Sequence, residues 1–170
     1  MRDSKLVPDD NGLFFFGASV SVKGGILAVG DDEYGSGARG SVFVYEYNQM
    51  TGKWTEFGNS ILNGDCDLSF GTSLAVLEDG ALAIGCTGDE SNTGAVYHYI
   101  RSVFQGQEQY TLQQKVTASD GTSSDYFGWW GQTAVYGNVM VIGAYGAPCS
   151  GGSGSCGKVY VYARPTKSEI

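Results

Sequence analysis

The dipeptide Phe-Gly returns at Phe16, Phe70 and Phe127, each time opening the same succession of residues. The period is about 55 residues, the length scale on which a repeat forms one supersecondary unit. After each Phe-Gly, polar and apolar residues alternate, as at 19–22, which marks a half-buried strand. A turn bearing glycine or asparagine follows at 23–25, 78–80 and 136–138. Those residues supply the positive φ that tight hairpins need. Next comes a continuous apolar run at 26–29, 81–84 and 139–142, which predicts a strand covered on both faces. The third segment, GSVFVYEY from Gly40, GAVYHY from Gly94 and GKVYVY from Gly157, is rich in Val, Tyr and Phe. Two copies continue into a more polar fourth segment, from Lys53 and from Gln109, as an outer edge strand would.

One four-stranded antiparallel sheet has no way to bury two apolar faces alone. Stacking several such sheets face to face does so. The expected fold is therefore all-β, with consecutive four-stranded antiparallel blades of β-propeller type. About three blades would form a partial propeller or an open arc. Glycine is abundant at 27 residues and proline scarce at 3, in keeping with short strands and tight turns. Residues 1–15 would be the outer strand and lead-in of a preceding blade, because Lys5-Leu6-Val7 aligns with Lys115-Val116-Thr117. The first repeat would span 16–69, the second 70–126 and the third 127–170, the last without its outer strand. Rings of this kind need about four to eight blades. Three copies thus predict a fragment of a longer propeller, an open arc, or a homodimer. In the homodimer the amino-terminal strand of each copy would complete the last blade of the other, giving a six-blade ring.

The order Phe-Gly, strand, glycine turn, apolar run, Gly-Ala, loop, Gly-x-Val-Tyr-x-Tyr resembles the FG-GAP repeat, whose blades build the integrin α-subunit propeller and many secreted microbial and algal proteins. The third copy fits best, with Phe127-Gly128, Ile142-Gly143-Ala144 and Val159-Tyr160-Val161-Tyr162 after the lead-in at 118–126. The resemblance covers nearly the whole chain and implies an extracellular or cell-surface adhesion module. Many relatives carry a calcium loop between the first two strands. The turns here offer too few oxygen ligands for calcium, so the chain resembles the calcium-free branch and no cofactor is expected there. The acids Asp31, Asp32 and Glu33 after the second apolar run are weak candidates for a cation.

The formal charge is −8, with only 10 Lys and Arg residues. That argues against nucleic acid, whose recognition rests on basic patches, and disfavours anionic membranes. No apolar run approaches the ~20 residues of a membrane helix, and no charged-then-apolar export signal opens the chain. Membrane association would need a segment missing from this chain. The cysteines are Cys66, Cys86, Cys149 and Cys156, with no zinc-binding spacing. Cys149 and Cys156 bracket a glycine-rich loop, which a disulfide would staple. The even count favours two disulfides and an oxidising compartment, against the alternative of buried thiols.

Trp129 and Trp130 stand where the other copies have Ala18-Ser19 and Thr72-Ser73, and the third copy is two residues longer there. A two-residue insertion preserves strand parity, so Val135 keeps the orientation of its counterparts and the extra residues bulge. Exposed, the pair would stack on a sugar or form a protein hot spot; the alternative is packing between blades. His98, the sole histidine, has no companion for a triad. The loops at 31–40, 87–94 and 147–157 differ between copies and should cluster on one edge. The expectation is a non-enzymatic module that presents loops to a protein or glycan. A secreted glycan-active hydrolase propeller and a purely structural spacer are the alternatives.

Overall fold

The computed structural model describes residues 5–7, 15–32, 40–58, 65–151 and 154–163. Eleven strands form three antiparallel sheets, and the described residues contain no helix. The first sheet is β1 (Phe16–Lys23), β2 (Ile26–Asp31), β3 (Ser41–Asn48) and β4 (Lys53–Glu56). The second is β5 (Phe70–Val76), β6 (Leu82–Cys86), β7 (Ala95–Phe104) and β8 (Gln107–Val116). The third is β9 (Thr133–Tyr136), β10 (Val139–Ala144) and β11 (Lys158–Ala163). In each sheet the strands neighbour one another in chain order. The sheets stack, and among the described residues the stack does not close. The three-unit all-β reading of the sequence is the observed architecture.

The sheet register repeats from unit to unit. Val22 pairs with Leu27, Val76 with Leu82, and Val135 with Met140. Val135 therefore holds its counterparts' position despite the two extra residues before it, because side chains alternate faces with period two. The ladder breaks between Phe16 and Ser19 and between Phe70 and Leu74, so the bulge belongs to every strand entrance and the insertion only enlarges the third.

Alternation sorts each strand into two faces. Ile26, Ala28, Val42 and Val44 of the first sheet meet Leu74, Val76, Leu82, Ile84, Tyr97 and Tyr99 of the second. The opposite face of the second sheet, with Ala75, Ala83 and Val96, packs against Ile142, Met140, Tyr160 and Tyr162 of the third. Every residue of β5 and β6 is buried, as a strand between two stacked partners must be. The outermost faces lack such cover, and Val20, Val22, Val159 and Val161 are all more than 60% exposed (64%, 62%, 68% and 66%).

The Phe-Gly dipeptide is the joint between sheets. Phe70 packs edge-on against Tyr97 and Tyr99 of its own sheet, and Phe127 does the same against Tyr160 and Tyr162. Both phenylalanines are fully buried. The glycine that follows has a positive φ, 91° at Gly71 and 77° at Gly128, a conformation costly for other residues. Its carbonyl turns to the preceding sheet, where it accepts a hydrogen bond from Ser19 Oγ (2.5 Å) or Ser73 Oγ (2.7 Å). Gly30 and Gly85 leave room for those carbonyls, since a Cβ on either would overlap Gly71 O or Gly128 O.

Both disulfides are formed, Cys66–Cys86 and Cys149–Cys156, and no described cysteine is free. Lys5 to Val7 have no strand conformation. Leu6 nevertheless packs on Val29, Phe43 and Tyr45, the outward face of the first sheet. Residues 8–14 and 164–170, where the sequence places a lead-in and chain end, lie outside the described residues, as do 59–64 of the fourth segment.

Phe70→Ala should destabilise the fold by about 3–5 kcal/mol, because one ring serves two sheets; urea unfolding measures it. Val103→Ala, at an exposed position near the end of β7, should change stability by less than ~0.5 kcal/mol. Replacing Cys66 and Cys86 together by serine frees a loop closed over a sequence separation of 20 residues. The expected loss is about 3 kcal/mol on the same unfolding curve.

Candidate functional site: an aromatic ledge at the strand-entry edge

Each Phe-Gly begins where the second strand of its sheet ends, as the pairs Phe16–Asp31 and Phe70–Cys86 and the bridge Phe127–Ala144 show. The loops from second to third strands therefore leave from this same edge. The loop at 87–94 also holds the next unit's lead-in, because Asn92 O and Thr93 O accept the backbone N–H groups of Tyr126 and Phe127 (3.0 Å each). Within it, Asp89 is buried, pairs with Lys115 Nζ at 2.7 Å and accepts from Tyr97 Oη at 3.2 Å. Burial, reinforced by the Asp89 charge, holds the Tyr97 phenol protonated well above the ordinary tyrosine range. Burial opposes the charge on Lys115, but the hydrogen bonds and negative charges of Asp89 and Glu90 together outweigh it and raise the lysine.

At the third unit the extra residues fold back as a tight turn. Trp129 N–H donates to Tyr126 O (3.3 Å) and Gln132 N–H to Trp129 O (3.0 Å). The turn needs positive φ at Gly131 (70°) and, unusually, at Tyr126 (55°) and Trp130 (33°). Non-glycine residues held there cost about 1–3 kcal/mol each and gather at sites where function sustains them. The turn assembles four rings into one ledge. Trp129 stacks on Tyr145 with centroids 4.8 Å apart, Tyr145 stacks on Tyr126 at 5.1 Å, and Trp130 leans on Trp129 at 5.1 Å. Trp129 is half-buried, whereas Trp130 is 65% and Tyr145 44% exposed. The indole N–H of Trp129 is buried with no hydrogen-bond partner among the described residues.

Trp130 reaches across the stack. Its backbone N–H points at Thr72 Oγ1 of the second sheet (3.5 Å). Its ring borders a cleft of about 570 Å³ whose other walls are Phe15, Ala18, Ser19, Val20, Asp32 and Leu74. Phe15 is 49% exposed. The cleft thus runs from the third unit to the first, across the entrances of the inner strands.

The sequence-level candidates separate here. Trp129 and Trp130 come together, one as support and one as exposed surface. Asp32 lines the cleft, Asp31 is buried with Oδ1 accepting Phe15 N–H (3.1 Å), and Glu33 lies outside the described residues. Among the described residues, no three His, Cys, Asp or Glu side chains gather to hold a metal ion. His98 lies at the other edge, in a crevice it shares with Gly137 and Asn138 of the β9–β10 turn. Tyr126, Tyr145 and Phe15 escaped the sequence reading. The available signal was an aromatic residue directly before Phe-Gly, at Phe15 and again at Tyr126.

Residues 110–162, from within β8 to within β11, match the model of the FG-GAP repeat family. This segment is similar to the FG-GAP repeat. The match contains the third Phe-Gly joint, Gly143-Ala144 and the tyrosines Tyr160 and Tyr162 that receive Phe127. No curated protein is matched by the chain. The aromatic ledge lies inside the matched segment, built on the two residues by which the third unit's strand entrance is longer than those of its neighbours.

Trp130→Ala should leave thermal stability within ~0.5 kcal/mol, as exposed positions usually do. Trp129→Ala, which removes the middle of the stack, should cost about 2–3 kcal/mol. Paired thermal melts of the two variants test this difference.

Proposed function

We propose that this protein is a non-enzymatic extracellular binding module, with adhesion as its role. Its FG-GAP-type blades present the aromatic ledge to a protein or glycan ligand. One observation carries the reading. A strained, inserted turn holds Trp130 in solvent beside a cleft, above a stack of three further aromatic rings. An indole face offers large contact area at small conformational cost, which suits the apolar face of a sugar ring or a protein hot spot. The stack beneath it, Trp129 on Tyr145 on Tyr126, fixes its direction before any ligand arrives, so little ordering entropy remains to be lost on binding. The two disulfides support an oxidising location.

A glycan array and a panel of cell-surface proteins, probed with wild type and Trp130→Ala, test the reading. The expected result is at least about a tenfold loss of affinity for the wild-type ligand, or ~1.4 kcal/mol, with no turnover of that ligand. Equal binding by both proteins would remove the ledge from the site, hydrolysis would make the protein an enzyme, and no binding at all would leave it a spacer.

A further inference from the structure

The two outermost sheet faces are unlike halves of an interface that the molecule already makes twice. On the third sheet, Val159 occupies the position of Val42 and Val96, both fully buried over the glycine of the next Phe-Gly. It is 68% exposed. Gln132, opposite Gly143 on β10, replaces Ser19 and Ser73, the serines that donate to the next glycine carbonyl. Its Oε1 is buried and has no hydrogen-bond partner among the described residues. The outward residues of β9, β10 and β11 carry no charge, in a chain whose net charge is −8. On the first sheet, Phe16 packs edge-on against Phe43 as Phe70 does against Tyr97. Gly17 has a positive φ, 97°, as Gly71 and Gly128 do, yet nothing lies within 4 Å of where its Cβ would be. Leu6 already covers Val29, Phe43 and Tyr45, so among the described residues the uncovered part of this face is Phe16-Gly17 with Val20 and Val22.

We propose that the third sheet of one copy docks on the first sheet of a second copy, with Val159 seated over the partner's Gly17. The Gln132 amide N–H would donate to the partner's Gly17 carbonyl, as the serine hydroxyls do inside the chain. The contact is heterologous, so it must either close or propagate. Two copies joined twice give six sheets, within the four to eight that close a propeller ring. A second copy is the occupant because both halves lie on this one chain, each matching an interface whose other half it already carries.

Light scattering on the 170-residue protein at about 10 μM, far above a sub-micromolar dissociation constant, should give twice the 18.0 kDa of one chain. Val159→Glu would bury a charge in the contact and should weaken association at least ~100-fold while circular dichroism stays unchanged, and so should Val20→Glu. Each variant retains one intact face of opposite kind, so an equimolar mixture should recover a one-to-one dimer. A folded wild-type monomer, a dimer that survives Val159→Glu, an open polymer, or a mixture that stays monomeric would each overturn the proposal.

Discussion

The glycine carbonyl of the second and third Phe-Gly is the contact on which the stack depends. A sheet offers its neighbour side chains, which repel water but specify little about register. A main-chain carbonyl turned out of the sheet by a positive φ specifies one point. Ser19 and Ser73 receive it, and Gly30 and Gly85 make space for it. The phenylalanine beside it fills the gap over the tyrosines of the third strand. Polar fixation and apolar filling thus come from adjacent residues, which explains why the dipeptide travels as a unit. The middle sheet, engaged by such a joint on each side, has its two inner strands wholly buried.

From that joint the edge bearing the variable loops follows. Phe-Gly starts the inner strand at the end where the second strand finishes, so the second-to-third-strand loops and the strand entrances share one rim. A bulge lies at every entrance, and there the ladder tolerates extra residues without shifting the strand behind it. The third unit uses this tolerance. Its insertion leaves Val135 in register and projects Trp130 over the entrances of the earlier units. A scaffold position in two copies has become a surface in the third, and the departure from repetition coincides with backbone strain at Tyr126 and Trp130.

Several carboxylates that look available along the chain are engaged in fixed contacts, within a unit for Asp89 and Asp125 and between units for Asp120. Asp89 secures Lys115 and Tyr97, and Asp125 accepts from Thr122 Oγ1 and the Thr122 N–H at the lead-in to the third Phe-Gly. Asp120 receives Lys158 and Tyr160 from β11, which lowers its own affinity for protons. The acidic surplus of the sequence is therefore partly an internal fastening between one unit's exit and the next unit's third strand.

What the chain determined by itself was local and periodic. Alternation, glycine turns, apolar runs and the returning Phe-Gly depend on near neighbours and on hairpins, so they are legible residue by residue. They specified the strands, the parity after the insertion, the three-unit plan and the exposed face of Trp130 as one of two readings. Only the tertiary structure decided that Tyr126 and Tyr145 brace Trp129, and that Phe15 and Asp32 of the first unit share a cleft with Trp130 of the third. Those meetings join residues as far apart as Phe15 and Trp130 through the stacking angle of successive sheets, and no spacing along a chain encodes an angle.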